Sequence, residues 1–317
     1  MKYKIILIWA ICSPFKTSFA WGFFGHQKIN EIAVYSIPKP LFGFYKANVA
    51  YMINHAADPD KRRYVLEDEA CKHFMDGDFY ERSLPLDTIP KWYKDAIAKY
   101  GKDTVHDHGI VPWQILKVYQ QLVSAFQAKD ELRILKLSAD LGHYVGDCHV
   151  PLHATSNYNG QKTNQKGIHA LWESRLTELN FNDYNLLVSV STYFESPIDS
   201  IWKAYSGSFA LVDSVLKTER QVNATFDPSL KYTWEQRGST LVKVYSKQYC
   251  EAYHARLGDM IENRLKSSIT MLSGLIYTAW VEAGQPQLSH LPIENQDDTS
   301  SDTPPQPNQK MIGREEE

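Results

Sequence analysis

One short run, "DLGHYVGDCHVPLHAT" at residues 140–155, crowds three histidines and two aspartates beside a pair of glycines and a proline. Leu137, Leu141 and Val145 recur at helical spacing and mark a buried face. His143 and Asp147 stand four apart, so they lie one above the other on a different face of the same helix. Two side chains at that spacing can grip one metal ion. Asp140 continues the stripe one turn earlier and is a candidate partner behind the ligands. Pro151 disfavours helix at Val150, which ends the helix and puts His153 just beyond it.

An isolated His-x3-Asp pair reads most simply as a core histidine and a solvated acid, but this pair has company. In "GIHALWESRL", His169 and Glu173 repeat the spacing. "NHAADPDKRRY" offers His55 and Asp58, "CKHFMDGDFY" offers His73, Asp76 and Asp78, and "WGFFGHQKIN" offers His26. All are nitrogen or oxygen donors without a thiolate, residue types that can ligate a metal ion.

The first twenty residues, "MKYKIILIWAICSPFKTSFA", place Lys2 and Lys4 before an apolar run and small residues at Ser18 and Ala20. This is the pattern of a cleavable secretory signal, the alternative being a buried first helix, and it predicts a secreted or periplasmic protein. Cleavage after Ala20 exposes the amino group of Trp21, itself a nitrogen ligand once deprotonated, with a reference pKa of about 8. It also removes Lys2, Lys4 and Lys16, taking the formal net charge from −3 to −6. That balance gives no general attraction to a polyanion. Beyond the signal no stretch is apolar enough to span a membrane. Cys71, Cys148 and Cys250 remain, too few and too widely spaced to read as a disulfide framework, although one pair could form.

Helical periodicity dominates. Ile115, Tyr119, Leu122 and Phe126 share one face, with Pro112 suited to the first turn. Residues 239–282 give a long helical pattern with Gly258 as a break, and "NLLVSVSTYF" at 185–194 is the best strand candidate. The expected fold is all-α: a signal peptide at 1–20, a single multi-helix domain at 21–284, and a flexible polar tail at 285–317.

Five segments together, "WGFFGH", "HAADPD", "HFMDGD", "HYVGDCHVPLH" and "IHALWE", resemble the superfamily of zinc-dependent phospholipase C and the class I single-strand-specific nucleases. They span residues 21–173, about half the chain, in the family's order. The resemblance implies an all-helical secreted phosphodiesterase with three zinc ions and a zinc-bound hydroxide as nucleophile. It assigns Asp58, His73, His143 and Asp147 to the first zinc. Trp21 and His26 take the second, sharing Asp147, and His153, His169 and Glu173 take the third. Asp58 and Asp147 become candidate catalytic residues. Phe74 lines the substrate pocket, and Lys61, with Arg62 and Arg63 beside it, is a candidate phosphate contact. Three zinc ions against three carboxylates leave roughly three positive charges, which suits an anionic diester.

The substrate implied is a phospholipid head group or single-stranded nucleic acid. Glu173 and the short His153–His169 interval resemble the phospholipase branch, toward which the reading leans. "WGFFGH" has the nuclease-type spacing, and Phe23 and Phe24 stand where choline-preferring enzymes carry an acid. The alternatives are a single-strand-specific endonuclease and a zinc-binding protein without catalysis. No protein partner can be read from the sequence.

Overall fold

A computed structural model describes residues 22–237, 240–293 and 312–314. The signal segment and Trp21 lie outside these residues. The chain runs through α1 (Gly22–Tyr35), α2 (Lys39–Ala47), α3 (Val49–Asn54), α4 (Asp58–Arg62), α5 (Gly77–Tyr80), α6 (Tyr93–Tyr100) and α7 (Lys102–Asp107). Two long helices follow, α8 (Val111–Ala128) and α9 (Glu131–Cys148), then α10 (Leu176–Asn180), α11 (Pro197–Phe209) and α12 (Val212–Asn223). A hairpin of β1 (Tyr232–Arg237) and β2 (Thr240–Tyr245) precedes α13 (Lys247–Leu257) and α14 (Met260–Glu282). The fold is predominantly all-α, and the antiparallel hairpin is the only sheet among the described residues.

Local chemistry sets the two central helices. Pro112 sits in the first turn of α8, where its missing N–H costs nothing. Lys129 ends the helix in the left-handed region, and Asp130 caps α9 by accepting from the Arg133 backbone N–H at 3.1 Å. With so short a link, α8 and α9 fold back on each other. Their apolar stripes meet through Ile115, Leu122, Phe126, Ile134, Leu141 and Val145, all fully buried. Burial of each such side chain stabilises by about 1.5–3 kcal/mol. α14 lies across this pair and against α1.

The approach of α1 to α9 decides the site. A Cβ at Gly142 would fall 1.7 Å from Oδ1 of Asn30, and one at Gly146 would fall 2.8 Å from Nδ1 of His26. These two glycines, one turn apart, let α1 lie directly on α9. Asn30 fastens the contact by donating to the carbonyls of Met52 at 3.1 Å and Ala139 at 3.3 Å.

Three expectations change. Residues 185–194 form no strand: this extended segment has no partner strand among the described residues and instead bonds to the end of α1 and to α14, Ser191 N–H to Ser36 O at 2.8 Å and Phe194 N–H to Thr278 Oγ1 at 2.9 Å. The long pattern from 239 is helical only from Lys247, because alternating Leu241, Lys243 and Tyr245 pair with β1 first. Gly258, at φ 57°, does separate two helices. Residues 285–293 are fastened to the body, with Ile293 N–H on Asn48 Oδ1 at 2.8 Å and Pro286 O accepting from Trp280 at 2.9 Å. No helix among the described residues is long and apolar enough to cross a membrane.

Candidate metal centre

Six parts of the chain converge beside the α1–α9 contact. α1 supplies His26, α4 supplies Asp60, and His73 follows the short turn Ala70–Lys72. α9 supplies His143 and Asp147, the turn Pro151–Ala154 supplies His153, and a π-helical segment, Ala170–Arg175, carries Glu173 with His169 at its start. Their ligand atoms fall into four overlapping groups, each within 4.8 Å: His26, Asp60 and His143; His73, His143 and Asp147; His26, Asp147 and Glu173; His153, His169 and Glu173.

Asp147 sits at the centre of this arrangement. Its Oδ2 lies 2.9 Å from Nδ1 of His73 and 3.3 Å from Nε2 of His143, while Oδ1 lies 3.3 Å from Nε2 of His26. The ring of His26 stacks on that of His143 at 3.9 Å, a closeness that Gly146 permits. His153 and His169 both reach Oε2 of Glu173, at 3.3 Å and 2.7 Å. The helix thus ends before Pro151 and delivers His153 as the sequence predicts, with Val150 extended at ψ 119°.

The backbone fixes which ring nitrogen faces the centre. Nδ1 of His143 meets the carbonyl of Ala56 at 2.9 Å, Nδ1 of His153 that of His73 at 2.6 Å, and Nδ1 of His169 that of Tyr158 at 3.3 Å. A carbonyl only accepts, so each Nδ1 is the protonated nitrogen and, in a neutral ring, Nε2 carries a lone pair. Those lone pairs lie opposite carboxylate oxygens, an arrangement that a proton or a metal ion between them would satisfy. This is the way second partners orient histidines around a metal.

Burial opposes ionisation of Asp147, yet His143 and His153, with hydrogen bonds from His26 and His73, hold its carboxyl well below the usual range. Burial likewise opposes ionisation of Glu173, and His153 and His169 outweigh it and lower its pKa. Burial and the neighbouring His26 push His143 well below the usual histidine value, against Asp147. Burial raises the carboxyl of Asp60, with Asp147 adding to it against His73 and Arg63.

The structure brings together His26, His73, His143, Asp147, His153, His169 and Glu173, but places Asp60 where the motif reading put Asp58. Asp60 Oδ1 is 3.6 Å from both His73 Nδ1 and His143 Nε2. Two residues apart on α4, Asp58 and Asp60 point about 200° from each other. Asp58 faces away and is held by His55 at 2.6 Å and Lys61 at 3.0 Å. Lys61 is thereby engaged with Asp58, and no contact among the described residues ties it to the cluster. Arg62 pairs with Asp140 at 3.1 and 3.2 Å and with Tyr144, so Asp140 buttresses α4 and does not touch His143 through its own carboxylate. Glu69, buried and bonded by Lys72 and Tyr144, completes that buttress; no sequence motif marked it. His149 donates to the Val145 carbonyl at 2.7 Å, and burial beside Arg264 pushes its pKa down to about 3. Phe74, next to His73, is nearly buried. Trp172 is core.

Set against known protein-family models the chain matches none, and no curated protein matches it.

Proposed function

We propose that this chain is a secreted zinc-dependent phosphodiesterase, resembling the phospholipase C and single-strand nuclease type and leaning toward phospholipase C. The observation that carries the reading is the oriented donor set. Three histidines turn their Nε2 lone pairs toward carboxylates, and Asp147 joins the histidines of two groups. Nitrogen and oxygen donors in buried, overlapping sets suit zinc better than a purely oxygen-coordinated calcium or magnesium ion.

In this proposal Asp60, His73, His143 and Asp147 hold one ion. His26 and Asp147 hold a second together with the amino terminus at Trp21, and His153, His169 and Glu173 hold a third. Bound zinc would lower the pKa of a water and neutralise charge gathering on phosphate oxygens. The protein's part is to keep His143 neutral and ligating, to share the Asp147 carboxylate, and to bury the site so that its charges act at low dielectric. Phe74 offers an aromatic surface beside His73 for a head group or base.

A substrate panel tests this: phosphatidylcholine, phosphatidylethanolamine, single-stranded DNA and RNA, each with added zinc and with chelator. Zinc-dependent hydrolysis of any diester supports the reading, and preference for lipid supports the favoured branch. Preference for single-stranded nucleic acid selects the endonuclease. Tight zinc without turnover of any diester leaves a binding protein.

A further inference from the structure

Residues 312–314 return to the body of the protein and lie against the site. Arg314 places its guanidinium carbon 3.4 Å from the centroid of the Phe74 ring and 4.7 Å from that of Tyr158. The same guanidinium pairs through Nη2 with Oδ2 of Asp76, a carboxylate only 2 % exposed. His108 holds that carboxylate at 3.2 Å, and its Oδ1 has no hydrogen-bond partner among the described residues. Two aromatic faces and a buried carboxylate make a cage for a planar cation.

The backbone of the segment is docked as well. Ile312 N–H donates to the carbonyl of Arg63 at 3.0 Å, and Arg63 Nη2 donates to the carbonyl of Arg314 at 2.8 Å. Arg63 also reaches Asp60, with Nη1 3.7 Å from its Oδ1, so the segment is one residue removed from the metal-ligand cluster. Gly313 makes the path possible. Its φ is 101°, and a Cβ there would fall 2.4 Å from Cβ of Ala70. A side chain at this position therefore conflicts with the docked course twice, by backbone conformation and by contact.

We infer that residues 312–314 are an internal ligand: Arg314 fills a guanidinium-accepting cage of Phe74, Tyr158 and Asp76, and there competes with substrate for the face beside His73. The cage stands on the contacts alone; the competition rests on the phosphodiesterase reading. A tethered ligand acts at a high effective concentration, so even a weak contact would hold the site partly closed until the segment is displaced or cut.

The test uses the full chain and two variants, Arg314→Ala, which empties the cage, and Gly313→Val, which prevents docking while keeping the arginine. Circular dichroism and melting confirm that each is folded. The first readout is titration with L-argininamide. Saturable binding to Arg314→Ala, about tenfold weaker in the native chain, is expected. Adding Asp76→Asn to Arg314→Ala should abolish it. If Arg314→Ala binds argininamide no better than the native chain does, the cage is refuted. The second readout is hydrolysis of the best diester from the panel. Both single variants should lower the apparent KM about tenfold with little change in kcat. If argininamide binds as expected while both variants keep the native KM, the segment is not a competitor. If neither the native chain nor the variants hydrolyse any diester, it is the phosphodiesterase reading that has failed, and the argininamide titration alone decides the internal ligand.

Discussion

Oδ2 of Asp147 lies 2.9 Å from Nδ1 of His73, across 74 positions of sequence, and both groups are buried. The same carboxylate reaches His26 and His143, so it joins α1, α9 and the segment after α4 in one polar centre. Asp147→Asn keeps the shape and removes the charge. The expected outcome is loss of at least one bound zinc and a fall in kcat/KM of at least about a hundredfold. Elemental analysis beside a turnover assay checks it. Near-native turnover with the metal complement intact would refute the shared-carboxylate scheme.

Asp58 and Asp60 make a sharper contrast, since they differ only in which side of α4 they face. Asp60→Asn should cost zinc and lower turnover about 10- to 100-fold. Asp58→Asn breaks contacts with His55 and Lys61 that are partly exposed, so it should cost at most about 1 kcal/mol of stability and leave turnover within about threefold. Measuring both variants side by side decides which aspartate serves the site. The reverse ranking would restore Asp58 as the ligand.

This pair also shows where sequence reasoning reached its limit. Positions on α9 were legible because a helix of known phase fixes direction, so the spacing of Leu141, His143, Val145 and Asp147 sorted itself into core and site. "DPD" begins a helix of five residues, too short to carry a phase, and offers two carboxylates with nothing local to choose between them. The choice is made by His73 and His143, which are distant in sequence. The hairpin was hidden for a similar reason. Alternation in "TLVKVY" runs directly into helix α13, and only pairing with Tyr232–Arg237 separates the two. The cage at Phe74 needed Tyr158 and Arg314, which no motif connects.

Metal should also govern stability. Ions bound only by the folded chain add their binding free energy to folding. Free zinc at about a hundred times Kd contributes about 2.7 kcal/mol per site, which for a domain of this size raises Tm by roughly 5–10 °C. Melting curves with zinc and with chelator test this. Equal Tm values under both conditions would count against every assigned site.

Cys71, Cys148 and Cys250 are buried free thiols. Burial raises their pKa from 9.0 to about 11, about 12 and about 11. The thiolate is the reactive form, and it appears only as pH rises toward those values. At pH 8 the folded chain should therefore label with a thiol reagent at least about a hundredfold more slowly than the unfolded chain, with the rate climbing tenfold per pH unit. Mass spectrometry of alkylated protein checks both the rate and the absence of a disulfide among the three. A bond between any two of them would contradict the geometry.

Glu173 should behave unlike Asp147. Its Oε2 contacts His153 and His169 at hydrogen-bond distance, whereas Asp147 contacts His26, His73 and His143. Glu173→Gln removes one charge from the third site and leaves Asp60, His73, His143 and Asp147 in place. If that site stabilises the departing oxygen, the cost depends on how much help the leaving group needs. A nitrophenolate leaves with little assistance, whereas an alkoxide carries nearly a full charge as its bond breaks. Activity on a nitrophenyl diester should fall less than about tenfold, and activity on an alkyl diester by about a hundredfold or more. Metal analysis should show one zinc weakened and the others retained. Equal losses on both substrates would mean that the third site positions the phosphate and does not assist departure.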